Sequence, residues 1–247
     1  MKLAPSVHDD VSALARVRIV LSHTSLARNI GSAARAMKTM GIGRLYLVDP
    51  KQFPDPDAIA LASGAADLLD GAVVCADLDQ ALEGTTLAFA VTARRRDLSH
   101  PTSDIREAAS RTCDELAGGG EVAFVFGPET SGLDNDDVLR CSRVAFIPAN
   151  PEYSSLNLAM AVQLASYELW MAMARPRTRP EDRPALATHQ ELEYFYEHLE
   201  QSLVASGFLD PHQPKRLLER VRRLFGRASL ERDDVNILRG MLNSFIK

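Results

Sequence analysis

The chain has 247 residues, 46% of them hydrophobic and 25% charged, which is typical of a globular protein with one large domain or two smaller ones. Its formal net charge of −5 gives no bulk basic field, so a nucleic-acid site has to be a local patch, and we expect no DNA partner. The three cysteines lie far apart and the six histidines have no ligand spacing, which predicts a reducing compartment and no metal site.

Neither a membrane span nor a signal peptide is predicted. No apolar run reaches ~18 residues without polar interruption, and we therefore expect no membrane partner. Residues 1–15 carry Asp9 and Asp10 and lack an apolar core. We interpret them as a flexible extension on a cytoplasmic protein.

Strand-like and helix-like segments alternate from residue 16 onward. Strands are predicted at 17–21, 44–48, 72–75, 87–91, 122–126 and 143–147, and helices at 29–40, 57–62, 78–82, 103–116, 135–140 and 156–174. Short apolar strands separated by helices predict an α/β fold with a mostly parallel sheet and helices on both faces. Ligands of such sheets bind beyond the carboxyl ends of the strands, so the segments that follow the strands are the candidate sites.

The helix after the first strand is expected to begin with Asn29 as its N-cap. Gly31, Ala33 and Ala34 keep this helix thin, which allows another backbone to approach it closely. Arg35 falls off the apolar stripe of the helix, a position that suits either a solvated arginine or a functional one.

A basic loop follows the fourth predicted strand. The small residues Val91, Thr92 and Ala93 lead into three arginines. Among these, Arg94 and Arg95 suit a loop that faces phosphates, and a solvated basic turn explains them equally well.

Glycines bracket a lone carboxylate after the fifth predicted strand. In residues 126–133 (FGPETSGL), Gly127 and Gly132 flank Glu129. Two glycines let the backbone pass close to a ligand and fix the direction of the acid between them. Taken alone, the same residues also describe a plain turn.

A polar loop joins the sixth predicted strand to a long apolar helix. Residues 147–157 (IPANPEYSSLN) place Ser154, Ser155 and Asn157 at the beginning of that helix, where backbone N–H groups are unpaired. Such a loop can hold a ligand or can serve as an ordinary N-cap. The chain has no Gly-x-Gly-x-x-Gly, P-loop or Gly-x-Ser-x-Gly motif, so dinucleotide, P-loop and nucleophile-elbow chemistries are unsupported.

The last quarter of the chain is predicted to be helical. Residues 175–187 are proline-rich and charged, as in a linker, and helices are predicted at 188–206, 211–227 and 231–245. The middle helix carries a basic face that is either a solvated surface or a site for phosphates. Its arginines are Arg216, Arg220, Arg223 and Arg227. The predicted division is therefore an extension at 1–15, a sheet domain at 16–174, the linker and a helical domain at 188–247.

Three segments carry a family resemblance. Residues 29–35 (NIGSAAR), 126–133 and 147–157 resemble, in this order, the three motifs of the SPOUT RNA methyltransferases, in the branch that methylates ribose 2′-hydroxyls. Residues 151–162, 192–200 and 236–242 are similar to the bacterial tRNA (cytidine/uridine-2′-O-)-methyltransferases that act at anticodon-loop position 32. The resemblance covers nearly everything from residue 16 onward.

The resemblance implies a trefoil knot at the end of the sheet domain, S-adenosylmethionine as the methyl donor, and a homodimer with the pocket near the subunit interface. Backbone groups of Gly127, Ile147 and Leu156 would meet the adenine or its ribose. The residues expected to bind the cofactor are Val91, Thr92, Ala93, Gly127, Gly132, Ile147, Ser154, Ser155 and Leu156.

The resemblance also gives Arg35 the task of activating the ribose hydroxyl of a tRNA. Because a guanidinium pKa exceeds ~12, we interpret Arg35 as a group that stabilises the developing alkoxide and holds the adjacent phosphate. The residues expected to orient it and the target nucleotide are Asn29, Glu129, Ser155 and Asn157. Arg94, Arg95 and the four arginines of the tail helix are the expected RNA contacts, and the domain of residues 188–247 is expected to bind tRNA or to contact the second subunit. The alternatives are another tRNA or rRNA site, or a catalytically silent RNA-binding relative.

Overall fold

The computed structural model describes residues 12–93, 101–174 and 185–245. Within these ranges one sheet contains β1 (Val17–Ser22), β2 (Arg44–Val48), β3 (Val73–Cys75), β4 (Leu87–Val91), β5 (Thr102–Asp104), β6 (Val122–Phe126) and β7 (Arg143–Phe146). The strand order is β3-β2-β1-β6-β4-β7-β5, and every neighbouring pair is parallel. The predicted parallel sheet is confirmed, with the six predicted strands within one residue of their bounds.

One strand and one helix were missed from the sequence. Strand β5 lies where the start of a helix was predicted, and it pairs with β7 at the edge of the sheet. It consists of Thr-Ser-Asp, a polar triplet without β-branched or aromatic alternation, so the sequence pattern gave no strand signal. The missed helix at Ala66–Asp70 is only five residues long.

Helices cover both faces of the sheet, as predicted. In chain order they are α1 (Ala27–Thr39), α2 (Pro56–Ala62), α3 (Ala66–Asp70), α4 (Leu78–Leu82), α5 (Ile105–Ala117), α6 (Asn135–Arg140) and α7 (Leu158–Met173). Side chains of α1, α2, α3, α5 and α7 form the larger core on one face. Those of α4 and α6 pack on the other face. The central strands β1 and β6 are buried along their whole length, which explains the uninterrupted apolar sequence of β6 and the mostly apolar sequence of β1, whose polar residues are Arg18 and Ser22.

The beginning of the chain adds a short element to this core. Ser12–Arg16 form a 3₁₀ helix in which Leu14 is completely buried. Residues 1–11 of the predicted extension lie outside the described residues.

Helix α1 does not begin where it was expected. Its N-cap is Leu26, whose side chain makes no capping hydrogen bond, and Asn29 is the third helical residue. The prediction of Asn29 as N-cap is therefore wrong. The acceptor for the amides at this helix end comes from a distant segment, Glu129, so no local capping residue is needed.

The tail forms a small helical domain. Helices α8 (His189–Ala205), α9 (Leu217–Ala228) and α10 (Arg232–Phe245) surround a core of Ala187, Phe195, Leu230, Val235 and Leu242. Helix α9 begins six residues later than predicted, because Pro214 lacks an N–H group and Lys215 adopts a φ of 51°. Within the predicted linker, Leu186 pairs with Glu231, so the last linker residues belong to the tail. Residues 175–184 lie outside the described residues.

The tail packs against the amino ends of two strands. The backbone N–H of His189 donates to the carbonyl of Thr85, just before β4, over 2.7 Å. Arg143, the first residue of β7, donates to the hydroxyl of Ser229 over 2.6 Å. Asp79 on α4 accepts hydrogen bonds from His189 and Arg140, which outweigh its burial and lower its pKa to about 2. The tail is therefore anchored at the edge of the sheet opposite to the carboxyl ends.

The trefoil knot stays a prediction from the family resemblance. Strand β6 lies between β1 and β4, and β7 lies on the other side of β4, so the last two strands flank β4. None of the helices in the described ranges is both long enough and apolar enough to cross a bilayer.

At Gly31, helix α1 is thin enough for the backbone of α2 to approach it closely, as predicted. A Cβ added there would lie 2.0 Å from the carbonyl oxygen of Ala58 in α2, a backbone atom that cannot move aside. We expect Gly31→Ala to lower the free energy of unfolding by about 2 kcal/mol, measured by urea denaturation. Gly240→Ala is the matched control. Gly240 lies in α10 with open space around it, so alanine there should stabilise the protein by about 0.5 kcal/mol.

Candidate active site

A cleft of about 280 Å³ lies at the carboxyl ends of β4, β6 and β7. Its walls are the three loops that follow these strands, in agreement with the rule that ligands of parallel sheets bind at this edge. All nine residues predicted to bind the cofactor line it, namely Val91, Thr92, Ala93, Gly127, Gly132, Ile147, Ser154, Ser155 and Leu156. A second cavity, between the sheet and the tail, has a volume of only about 40 Å³. That is too small for a cofactor.

Gly127 is required by the shape of the cleft wall. A Cβ at this position would lie 2.2 Å from the backbone nitrogen of Leu133. Gly132 has a φ of 65°, which favours glycine, and its N–H donates to the carbonyl of Pro128 over 2.8 Å. The loop therefore folds back on itself and presents Glu129 from a fixed backbone.

The Glu129 carboxylate accepts four hydrogen bonds from the start of α1. One oxygen accepts from the hydroxyl and the backbone N–H of Ser25, over 2.7 and 3.0 Å. The other accepts from the N–H of Leu26 and the side-chain amide of Asn29, over 3.2 and 2.8 Å. Partial burial raises the pKa of Glu129, but the bonds from Asn29 and Ser25 outweigh it and lower the pKa to about 2. Glu129 is therefore ionised at neutral pH, and its four acceptor positions are occupied.

Asn157 connects this carboxylate to helix α7. Its side-chain amide donates to the side-chain oxygen of Asn29 over 3.0 Å. Its own oxygen accepts from the N–H groups of Ala159 and Met160, over 2.9 and 3.4 Å, and so caps α7. Three of the five predicted catalytic residues thus form one continuous network that joins α1, the loop after β6, and α7.

The other two predicted catalytic residues lie outside this network. Ser155 is exposed and lines the cleft. Arg35 is exposed on α1 and makes no hydrogen bond or ion pair with any described residue. Arg94 and Arg95 lie outside the described residues. In the described part of the chain, no three His, Cys, Asp or Glu side chains converge in a way that could hold a metal ion.

Sequence reasoning missed Ser25. It precedes the helix and lies outside the three motifs, so no pattern distinguishes it from its neighbours Thr24 and Leu26. Only the fold brings it to Glu129, 104 residues away in the chain.

On the basic face of α9, Arg220 and Arg227 are exposed and Arg223 is half-buried. Arg220, Arg223 and Arg227 make no ion pair with any residue that the structure describes. Arg216, the residue before the helix, donates to Glu219 over 3.0 Å. Arg222 faces inward instead, where it binds the carboxylate of Glu193 and lies 4.3 Å from the ring centre of Tyr196 on α8.

Comparison with known proteins agrees with this geometry. The chain is 46% identical over 239 residues to the tRNA (cytidine/uridine/adenosine-2′-O-)-methyltransferase TrmJ of Pseudomonas aeruginosa, and the match covers 93% of each chain. The crystal structure of TrmJ from Zymomonas mobilis ZM4 is 34% identical, with a TM-score of 0.82, and covers 93% of this chain and 99% of that one. A probable methyltransferase from Bordetella pertussis is 49% identical, with a TM-score of 0.62, over 66% and 99% of the two chains.

Two family models match separate parts of the chain. The model of the tRNA methyltransferase TrmJ C-terminal domain matches residues 190–247, and that of the SpoU rRNA Methylase family matches residues 16–167. The second match covers more than half of the chain and includes all three motifs. The resemblance found in the sequence is confirmed, and the chain belongs to the SpoU rRNA methylase family.

Proposed function

We propose that the protein transfers a methyl group from S-adenosylmethionine to the ribose 2′-hydroxyl of a cytidine or uridine at anticodon-loop position 32 of tRNA. The observation that carries the proposal is the cleft, which brings all nine expected cofactor-binding residues together beside the network of Asn29, Glu129 and Asn157. Relatives that are named tRNA 2′-O-methyltransferases and match over more than nine-tenths of the chain support the tRNA substrate. A tRNA substrate also implies a cytoplasmic protein.

The cleft fits a bent nucleoside-containing cofactor. It combines apolar walls from Val91, Ile147 and Leu156 with hydroxyls from Thr92 and Ser155. Apolar walls that carry polar groups are typical of sites for small molecules. The bound cofactor supplies an electrophilic methyl group on a positively charged sulfur. The residues of the chain have to orient the ribose hydroxyl toward it and stabilise the charge that develops on the oxygen.

Arg35 is the group that we assign to the developing alkoxide. Its guanidinium is permanently charged and has no protein partner in the described ranges, so it is available to an oxyanion or a phosphate. Asn29 lies on the same helix, nearer its N-terminus, and is held by Glu129 and Asn157. The network thus fixes the helix from which Arg35 projects. Glu129 has no free acceptor position and a low pKa, so we assign it an orienting role and not that of a base.

A homodimer is part of the proposal. Helix α7 buries one side against α1 and α5, and exposes Met160, Leu164 and Tyr167 on the other by 62%, 40% and 44%. These residues recur at i, i+4 and i+7, which makes a continuous apolar stripe on one face of the helix. The stripe begins next to Leu156 of the cleft, which is also exposed. A second copy of the chain is the partner that we propose for it.

The tail is proposed as an RNA-binding domain of residues 188–247, linked by 175–187 to the methyltransferase domain of 16–174. Three unpaired arginines on one helix form a local basic patch on a protein of net charge −5. Their helix ends just before Ser229, which is bound at the amino end of β7, and the cleft lies at the carboxyl ends. Five strand residues separate these edges by about 15 Å, a distance that an RNA stem and loop can span.

Nucleoside mapping of tRNA incubated with the protein and labelled S-adenosylmethionine tests the activity. We expect one 2′-O-methylated pyrimidine, at anticodon-loop position 32. Arg35→Ala should lower kcat by at least about 100-fold with tRNA binding retained, because the stabilisation of the alkoxide is lost. Wild-type turnover by this variant would contradict the assignment. A label at a different tRNA or rRNA position would contradict the proposed target.

Calorimetric titration with S-adenosylmethionine distinguishes the enzyme from a silent RNA-binding relative. An enzyme should bind the donor in at least one of two conditions, namely in the presence of tRNA or in its absence. If no binding is found in either condition, only the binding-module function is left.

Charge reversal on α9 tests the tail. Arg220→Glu and the double variant Arg220→Glu/Arg223→Glu should weaken tRNA binding stepwise and should lower the slope of log K against log salt by about one per lost phosphate contact. Arg111→Glu is the control, since it changes the net charge equally on α5 of the sheet domain. If Arg111→Glu and Arg220→Glu weaken tRNA binding equally, the tail does not bind tRNA and serves only for packing.

A charge on the exposed stripe of α7 tests the dimer. Leu164→Glu should give a monomer in size-exclusion chromatography with light scattering, because a carboxylate would be desolvated in the apolar interface. Tyr194→Glu is the control, since Tyr194 is an exposed aromatic residue on α8 of the tail. A wild-type chain that is already monomeric would exclude the proposed interface.

A further inference from the structure

We propose that Ser25 is a positioning residue of the methyl-transfer site, which acts by holding the Glu129 carboxylate against the N-terminus of α1. The inference rests on the proposed function and adds a residue that lies outside the three sequence motifs. It concerns a side chain that does not line the cleft, so its effect has to pass through Glu129.

Ser25 supplies half of the donors to Glu129. Its hydroxyl and its backbone N–H both bind one carboxylate oxygen, over 2.7 and 3.0 Å. The second oxygen is left for Leu26 and Asn29. Each oxygen of a carboxylate has about two acceptor positions, so Ser25 fixes the direction in which the second oxygen points. That direction decides whether the amide of Asn29 can reach it.

The backbone around Ser25 is held by the rest of the sheet. The N–H of His23 donates to the carbonyl of Val48 over 2.8 Å, and the N–H of Lys51 donates to the carbonyl of Thr24 over 3.0 Å. His23 has a φ of 51°, so the chain turns sharply after β1. Ser25 therefore presents its hydroxyl from a fixed turn, which is the property that a positioning residue needs.

Helix α1 depends on this contact because it has no cap of its own. Leu26 cannot accept a hydrogen bond through its side chain, and Glu129 brings the acceptor and a negative charge to the positive end of the helix. The hydrogen bonds from Asn29 and Ser25 also keep the pKa of Glu129 at about 2, against the effect of burial. Without the Ser25 hydroxyl, the carboxylate should be held less firmly, and the first turn of α1, which carries Asn29, should be less well fixed.

A double-mutant cycle tests whether Ser25 acts through Glu129. We expect Ser25→Ala to lower kcat/KM for tRNA about tenfold, the usual worth of a hydrogen bond to a charged group. In a Glu129→Ala background the same change should cost less than about twofold, because its partner is already absent. If Glu129→Ala does not fold, Glu129→Leu takes its place, since leucine fills a similar volume and has no acceptor. Equal losses in both backgrounds would overturn the proposal.

Two further variants separate positioning from packing. Ser25→Thr keeps the hydroxyl and should retain most of the activity. Thr39→Val removes a hydroxyl from the C-terminal end of α1, where it donates to the carbonyl of Ala36 over 2.8 Å, and should have no effect on kcat/KM. A loss with Ser25→Thr as large as that with Ser25→Ala would show that the hydroxyl is not what matters.

Carbon-13 NMR of the glutamate side-chain carboxyls provides a reading that does not need turnover. The Glu129 signal is assigned from its absence in Glu129→Gln, and its pKa should be higher in Ser25→Ala than in the wild type. An unchanged pKa would overturn the proposed contact. If the wild-type protein transfers no methyl group, the proposed function fails, and the carboxyl titration alone then decides the role of Ser25.

Discussion

The four hydrogen bonds to the Glu129 carboxylate are the interaction on which the arrangement of the site depends. Two helices begin at or beside the cleft, and only α7 begins with a conventional N-cap of its own. Helix α1 has leucine at its N-cap and takes its acceptor from the loop after β6. Helix α7 is capped by the side-chain oxygen of Asn157, and the side-chain N–H group of Asn157 donates to Asn29. Because Asn29 binds both Glu129 and Asn157, the starts of the two helices and the loop between them have to move together.

This network explains why an acid and two amides are useful in a reaction that needs no strong base from them. A methyl transfer to a weakly acidic hydroxyl depends on the alignment of the oxygen with the methyl group and on nearby positive charge. An ionised glutamate with every acceptor position occupied cannot take up the proton of the hydroxyl. Through its hydrogen bonds, Glu129 can hold the start of α1, the helix that carries Arg35, in place. The guanidinium of Arg35 on the same helix, which has no partner among the described residues, is the group that we propose for this positive charge.

The sequence predicted most of the sheet, and it failed where an element depends on contacts between residues far apart in the chain. The buried central strand β6 is a continuous apolar run and β1 is mostly apolar, so their bounds were predicted well. Strand β5 is a polar triplet whose pairing with β7 comes from the fold alone. The residues around the cleft were found because a family resemblance joined three distant motifs. Ser25 and the true start of α1 were not found, since both depend on a contact with Glu129 that spans about 100 residues of chain.

The position of the tail constrains how a substrate can be bound. Contacts of Thr85 and Arg143 hold the tail at the amino ends of β4 and β7, and the cleft opens at the carboxyl ends of the same strands. The two sites are thus separated by the length of the strands and joined by a rigid sheet. A free nucleoside is too short to reach both. Under the proposed function, an RNA that gains affinity from the α9 arginines while it presents one ribose at the cleft has to extend along the protein, which is why a tRNA, and not a free nucleoside, suits this arrangement.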